Sequence, residues 1–318
     1  MTTLGRAVQE ALGKVFEQAP ETVLLTADAE RGGPFGLTRD LANHFDDERV
    51  IDVPAGAAAR AALALGLGLA GKRPIVEMPL GEEILEALPT LARAGRVGWE
   101  SSGRRACPMV VRIPSGASHG AGPGLASHPA HHLATLPGWI VASVATSAQA
   151  RAWIDWAGAS PSPVALVESR DAYGMDVLPA EASISEPWRA RRLREGADAT
   201  LIAWGDALGT ACSAVDAASE RGISLALWDP SMLAPWDEET LLAAARETGR
   251  VVIAEAAPRN AGLSESLAAL LVERAVEWLE APVLRVTQPS CPLPATVAPE
   301  SCLTVGAVMA AVEQVIQF

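Results

Sequence analysis

Cysteine is scarce and scattered. Cys107, Cys212, Cys291 and Cys302 show no C-x-x-C spacing, which excludes a zinc ribbon or a thioredoxin-like redox pair and fits the reduced thiols of a cytoplasmic protein. Uninterrupted apolar runs are missing too. The most membrane-like stretch, 55–71, contains Arg60, is rich in Ala and Gly, and runs into Lys72-Arg73. A closely packed helix is expected there, and no bilayer span. The amphipathic first 18 residues carry Glu10 and Glu17 and do not read as a secretory leader. Positive charge is in short supply: 25 Lys and Arg face 38 Asp and Glu, for a net charge of −13. Nucleic acid and anionic membrane are therefore poor partners, and another protein or a small molecule is expected. Arg189, Arg191, Arg192 and Arg194 gather near a single aromatic, Trp188, and read as a solvated linker. The usual catalytic signatures are absent: no Walker A loop, no G-x-S-x-G elbow and no H-E-x-x-H. Gly66, Gly68 and Gly71 have G-x-G-x-x-G spacing but close a helical stretch, so helix packing explains them better than a dinucleotide.

What is present is alternation. In the first half, strand-like runs at 22–26, 50–53, 74–78, 109–113, 139–143 and 164–168 are separated by helical stretches at 37–44, 57–69, 83–97 and 147–156. The pattern breaks between 177 and 198 and then restarts. Strands are expected at 200–204, 224–228, 251–254 and 283–286, with helices at 207–221, 238–248, 263–279 and 305–315. The fold class is α/β: two domains, each a mostly parallel sheet flanked by helices. Boundaries are placed at 1–180 and 199–318, with 181–198 as linker. Asp237-Glu238-Glu239 and Gly249 bracket one helix with start and stop signals.

The densest polar constellation lies at 118–132, where His119, His128, His131 and His132 sit among Gly, Ser and Pro. A loop for proton transfer or phosphate contact is one reading, and a solvated surface loop the other. No Asp, Glu or Cys lies in the loop to complete a metal shell.

The second half then becomes recognisable. Residues 228–240 (WDPSMLAPWDEET) and 248–256 (TGRVVIAEA), followed by Ala281-Pro282-Val283 and Arg285-Val286, resemble the β subunit of thiamine-diphosphate-dependent 2-oxoacid dehydrogenase E1 components. Asp28, Gly32-Gly33, Thr38, Arg49–Pro54, the 57–71 helix, Arg73–Glu77, Pro108–Pro114 and Pro137-Gly138 fall in register with the same family. The resemblance implies a transketolase-like pyrimidine-binding domain followed by a transketolase C-terminal-type domain. It implies a heterotetramer in which an α subunit holds the diphosphate through Mg2+ and the β subunit receives the aminopyrimidine ring. The implied partners are that E1 α subunit, a second β subunit and a lipoyl acyltransferase E2 core. The implied reaction is decarboxylation of a 2-oxoacid with acyl transfer to a lipoyl carrier, the cofactor supplying the carbanion chemistry.

The departures fall on the cofactor positions that the resemblance implies. Where the family reads Asp-Thr-Pro-Ile-x-Glu, this chain has Asp52-Val53-Pro54-Ala55-Gly56-Ala57. Ala57 takes the place of the glutamate that exchanges a proton with the pyrimidine, and Ala55 that of a larger aliphatic residue. Glu83 stands where an aromatic stacks on the ring, Pro79 where a glutamine lies nearby, and Pro89-Thr90 replaces Asp-Gln. The family's active-site histidine falls on Leu125 by simple counting, so His128 and then His131 are the candidates, and Ala254 replaces a later histidine. Three readings remain: a working E1 β subunit, a catalytically silent assembly subunit, and a relative running another carboligation.

Overall fold

The computed structural model describes residues 3–54, 56–116, 128–175, 177, 183–260, 262–289 and 303–318. Contacts divide the chain into two units: Met1–Ser115 with His132–Pro187, and Gly116–His131 with Trp188–Phe318. Ala55, His119, Cys291 and Cys302 lie outside the described residues.

In the first unit, helix α1 (Leu4–Gln18) starts at Thr3, whose side chain accepts a hydrogen bond from the Arg6 N–H. Apolar residues at helical spacing turn Leu4, Val8, Leu12, Val15 and Phe16 inward, each fully buried side chain contributing about 1.5–3 kcal/mol. There follow β1 (Thr22–Thr26), α2 (Arg39–His44), β2 (Val50–Asp52), α3 (Ala57–Leu69), β3 (Arg73–Glu77) and α4 (Glu83–Glu100). Next come β4 (Val110–Ser115), α5 (Ala130–Ala134), β5 (Ile140–Val144), α6 (Ser147–Ala159) and β6 (Val164–Ser169). The strands lie in the order β5-β6-β4-β3-β1-β2, and every pairing among them is parallel. Covered on both faces, β1, β4 and β6 bury every residue, which is why they read as continuous rather than alternating runs. Helix α3 has the expected bounds but buries one face only: Ala57, Arg60, Ala61, Ala64 and Gly68. Leu63 and Leu69 on the other side remain 40% and 45% exposed, so the close packing expected of this helix holds for half of it. Gly68 approaches Cys107, where a Cβ would meet Sγ at 3.1 Å.

The second unit contains β7 (Arg191–Arg194), β8 (Ala199–Ala203), α7 (Leu208–Glu220), β9 (Leu225–Asp229), β10 (Met232–Ala234) and α8 (Glu238–Thr248). It continues with β11 (Val251–Pro258), α9 (Leu263–Ala275), β12 (Leu284–Gln288) and α10 (Val305–Ile316). Its sheet order is β12-β11-β8-β9-β7. All pairs are parallel except β7 with β9. The core is small: Ala203, Ala207, Ala211, Ala214 and Ala218 pack with Leu201, Leu227, Val308 and Val312.

One expectation is corrected here. Arg191–Arg194 is not solvated linker but an edge strand, with Arg191 bound to buried Asp229 at 3.3 Å and Arg192 stacked over Trp228 at 4.6 Å. The pairing partner lies more than thirty residues away, so local composition could not reveal it. Helix α9 also stops short of 279, ending at Ala275 before a 3-10 turn at Val276–Trp278. In the first sheet β1 lies between β2 and β3, and in the second β8 lies between β9 and β11, so the chain reverses its direction of growth at these points. The crevice at the carboxyl ends of such strands is where open α/β sheets bind ligands.

Candidate cofactor-facing site

At the first of these reversals, Thr26 ends β1 and Glu77 ends β3. Both join a buried network. Arg112 on β4 donates to Glu77 Oε1 at 2.6 Å and, in a fork, to both oxygens of Glu168 on β6 at 2.7 and 2.9 Å. Tyr173 donates its hydroxyl to Glu168 at 2.7 Å, and Thr26 its own to Glu77 at 2.5 Å. Gly33, at φ +72°, lies so close to Glu77 that any Cβ would collide with the carboxylate, and its left-handed backbone also favours glycine. Burial pushes the Glu77 carboxyl above its ordinary value even though Arg112 and the Thr26 hydroxyl pull it down. Burial disfavours the charge on Arg112, but Glu168 and Glu77 outweigh that and hold its pKa above the usual arginine range. Two carboxylates around one guanidinium leave an excess acid in a dry place, and Pro34, Phe35, Leu37 and Met78 close over it.

Beside this network the chain leaves β2 and enters α3 through Gly56, which supplies no side-chain cap. Ala57 is the first helical residue and is fully buried. Arg60, one turn on, occupies the same buried face with its side chain 3% exposed. Its Nη2 donates to Glu83 Oε2 at 2.7 Å and its Nη1 to the Val53 carbonyl at 3.4 Å. Glu83 opens α4. Ala57 and Glu83, two of the three cofactor positions anticipated from sequence, are thus brought to one place, with Arg60 between the helices.

His128 and His131 belong to the second unit. His128 is partly buried; burial lowers its pKa, Asp206 raises it, and the Gln288 side chain hydrogen-bonds it. Its Nε2 is enclosed without a hydrogen bond. His131 is lowered likewise by burial, offset by a hydrogen bond to the His128 backbone and by Glu255. Glu255 accepts the N–H groups of Leu263 and Ser264 at 2.9 Å each, where the dipole of α9 favours an anion. Burial thus disfavours the imidazolium form of both rings, while the nearby carboxylates favour it. Among the described residues no three His, Cys, Asp or Glu side chains converge as metal ligands.

An aminopyrimidine needs a carboxyl group at its ring nitrogen and an apolar or aromatic surface for its face. At the positions that the resemblance assigns to the ring, the α3–α4 corner offers the methyl of Ala57 and the Arg60–Glu83 ion pair instead, and these residues do not fit it. In the sequence Arg60 reads as an interruption of an apolar run. The available signal was its i+3 spacing from Ala57, which puts a charge on a buried face and therefore demands a partner. Arg112 and Glu168, inside strands that read as apolar, carried the same signal.

The family model described as transketolase, pyrimidine binding domain, matches residues 1–175, and that described as transketolase, C-terminal domain, matches 189–307. The pyruvate dehydrogenase E1 component subunit beta of Leifsonia xyli subsp. xyli is 31% identical over 292 residues, 91% of this chain and 87% of that protein. The mitochondrial 2-oxoisovalerate dehydrogenase subunit beta 2 of Arabidopsis thaliana is 29% identical over 316 residues, 98% of this chain and 88% of its own. A solved structure titled split gene transketolase, inactive beta4 tetramer, superposes with a TM-score of 0.78 at 25% identity, covering 99% of this chain and 98% of that one. Two domain models in order, and relatives aligned nearly end to end, leave one family: the chain belongs to the transketolase-like E1 β subunits of 2-oxoacid dehydrogenases.

Proposed function

We propose that the chain serves as the β-type subunit of a 2-oxoacid dehydrogenase E1 component. It joins an E1 α subunit and a second β subunit, in a complex that decarboxylates a 2-oxoacid and passes the acyl group to a lipoyl carrier on an acyltransferase core. The observation that carries this reading is the end-to-end match to curated E1 β subunits, both domains included. In such a complex thiamine diphosphate supplies the carbanion chemistry, with Mg2+ held through the α subunit. His128 and His131 are the residues of this chain proposed to move protons, supported by their place beside the carboxylates of Asp206 and Glu255. The expected compartment is the cytoplasm. Among the described residues no helix is long and apolar enough to cross a membrane.

The test is to purify the tagged chain from its host, identify what comes with it, and assay the complex with pyruvate and 2-oxoisovalerate. An α subunit should copurify, and acylation of a lipoyl domain should require that complex. A chain that recruits no α subunit would sink the proposal. A second reading, a silent assembly subunit, is favoured by one observation: Arg60 and Glu83 form an ion pair beside Ala57, at positions that the family resemblance assigns to the ring.

A further inference from the structure

Helix α3 begins with nothing to satisfy its positive end: Gly56 gives no side-chain cap and no acid lies in the first turn. Two carboxylates of α4 lie close by. Glu83 reaches Arg60 across the corner at 2.7 Å, and a Cβ on Gly56 would lie 3.4 Å from Glu86 Oε2. Arg60 in turn holds the Val53 carbonyl at 3.4 Å, so one guanidinium ties the exit of β2 and the first turns of α3 and α4 together. A flat heteroaromatic ring entering here would have to part an ion pair whose cation is 3% exposed and whose anion is 20% exposed. It would meet a methyl group where it needs a proton carrier. Separating a buried pair leaves an uncompensated charge, which is strongly unfavourable.

We infer that the Arg60–Glu83 ion pair has replaced the aminopyrimidine site in this chain, so that the chain does not itself activate the cofactor through its pyrimidine ring. The inference rests on the E1 β-type reading and narrows it. Whatever proton exchange the pyrimidine requires then comes from another chain.

Hydrogen exchange on the purified α/β complex, or on this chain where no α subunit binds, tests the inference with thiamine diphosphate and Mg2+ added. Residues 53–61 and 82–87 should gain no protection. Saturable micromolar binding that protects those two turns overturns the inference, whatever the activity. In a second arm, Ala57→Glu/Arg60→Leu/Glu83→Phe places a carboxylate at the start of α3 and an aromatic on α4. It should tighten thiamine diphosphate binding at least tenfold and bring protection to the same turns. A folded triple variant without tighter binding overturns the claim that the pair is what excludes the ring. Should the triple variant not fold, the exchange pattern of the wild-type protein decides by itself. Loss of the α partner bears on the functional reading alone, because the exchange arm runs with or without it.

Discussion

Single residues at the carboxyl edge of the first sheet carry more charge than their surroundings can easily hold. Glu77 illustrates how that charge is managed. Its carboxyl sits above the ordinary 4.5 because it is buried, against the pull of Arg112 and Thr26. A carboxyl raised in the folded state stabilises the fold below its unfolded pKa and loses that contribution as pH rises through the folded value. Glu77→Gln mimics the protonated form and does not titrate. Its stability deficit relative to wild type should therefore shrink as pH rises above the ordinary carboxylate range, titrations of groups outside the Arg112 network cancelling in the difference. Chemical denaturation of both proteins across that range checks it, and a deficit that widens with pH refutes the assignment. Removing the cation is a different matter. Arg112→Met would strand two buried carboxylates, at a cost of about 3–5 kcal/mol.

At the scale of elements, start signals were the most legible part of the sequence. Asp237 reads as the start of α8, and it does open that helix, its side chain accepting the Thr240 N–H. What the sequence could not convey is that the same carboxylate also accepts the buried Ala190 N–H at 3.0 Å and pairs with Arg189 at 3.5 Å. Asp237→Ala should cost about 1–2 kcal/mol for the cap and a similar amount for the orphaned amide, whereas Asp237→Asn should recover most of the first contribution. Thermal unfolding of the two variants separates these cases. Local rules of this kind place most of the α/β alternation to within a few residues, because strands covered on both faces and helices with clear start signals advertise themselves. They do not reach the short β10 and α5, or β7, since an edge strand made of RRLR has no apolar signature and exists only through β9. They likewise could not assemble the Arg112 network, whose members lie on three strands far apart in sequence.

At the scale of the whole molecule, the exposed apolar half of α3 is the feature most at odds with a solitary chain. Its small residues permit another backbone to come close, and Leu63 and Leu69 stay partly uncovered. The purified chain is expected to be an oligomer, and a heterotetramer once the α subunit is present. Light scattering that finds a stable monomer at micromolar concentration, alone and with the α subunit, would contradict this. The candidate site was legible at this scale only as a family pattern with substitutions. Ala57 and Glu83 could be named from order and spacing, but the ion pair that joins their two helices depends on packing that no single stretch of sequence encodes.

The division of the chain has a practical side. Residues Gly116–His131 count with the second unit although the first unit flanks them in sequence. Cutting the gene after Pro187 would therefore not yield two self-sufficient halves. The leading fragment would carry off His128 and His131, and the trailing fragment would lack them beside Asp206, Gln288 and Glu255. Evolution faces the same geometry: the two halves of this chain cannot be shuffled as independent cassettes at the point where their sequences part, and recombination that respects the fold must keep these two histidines with the second unit.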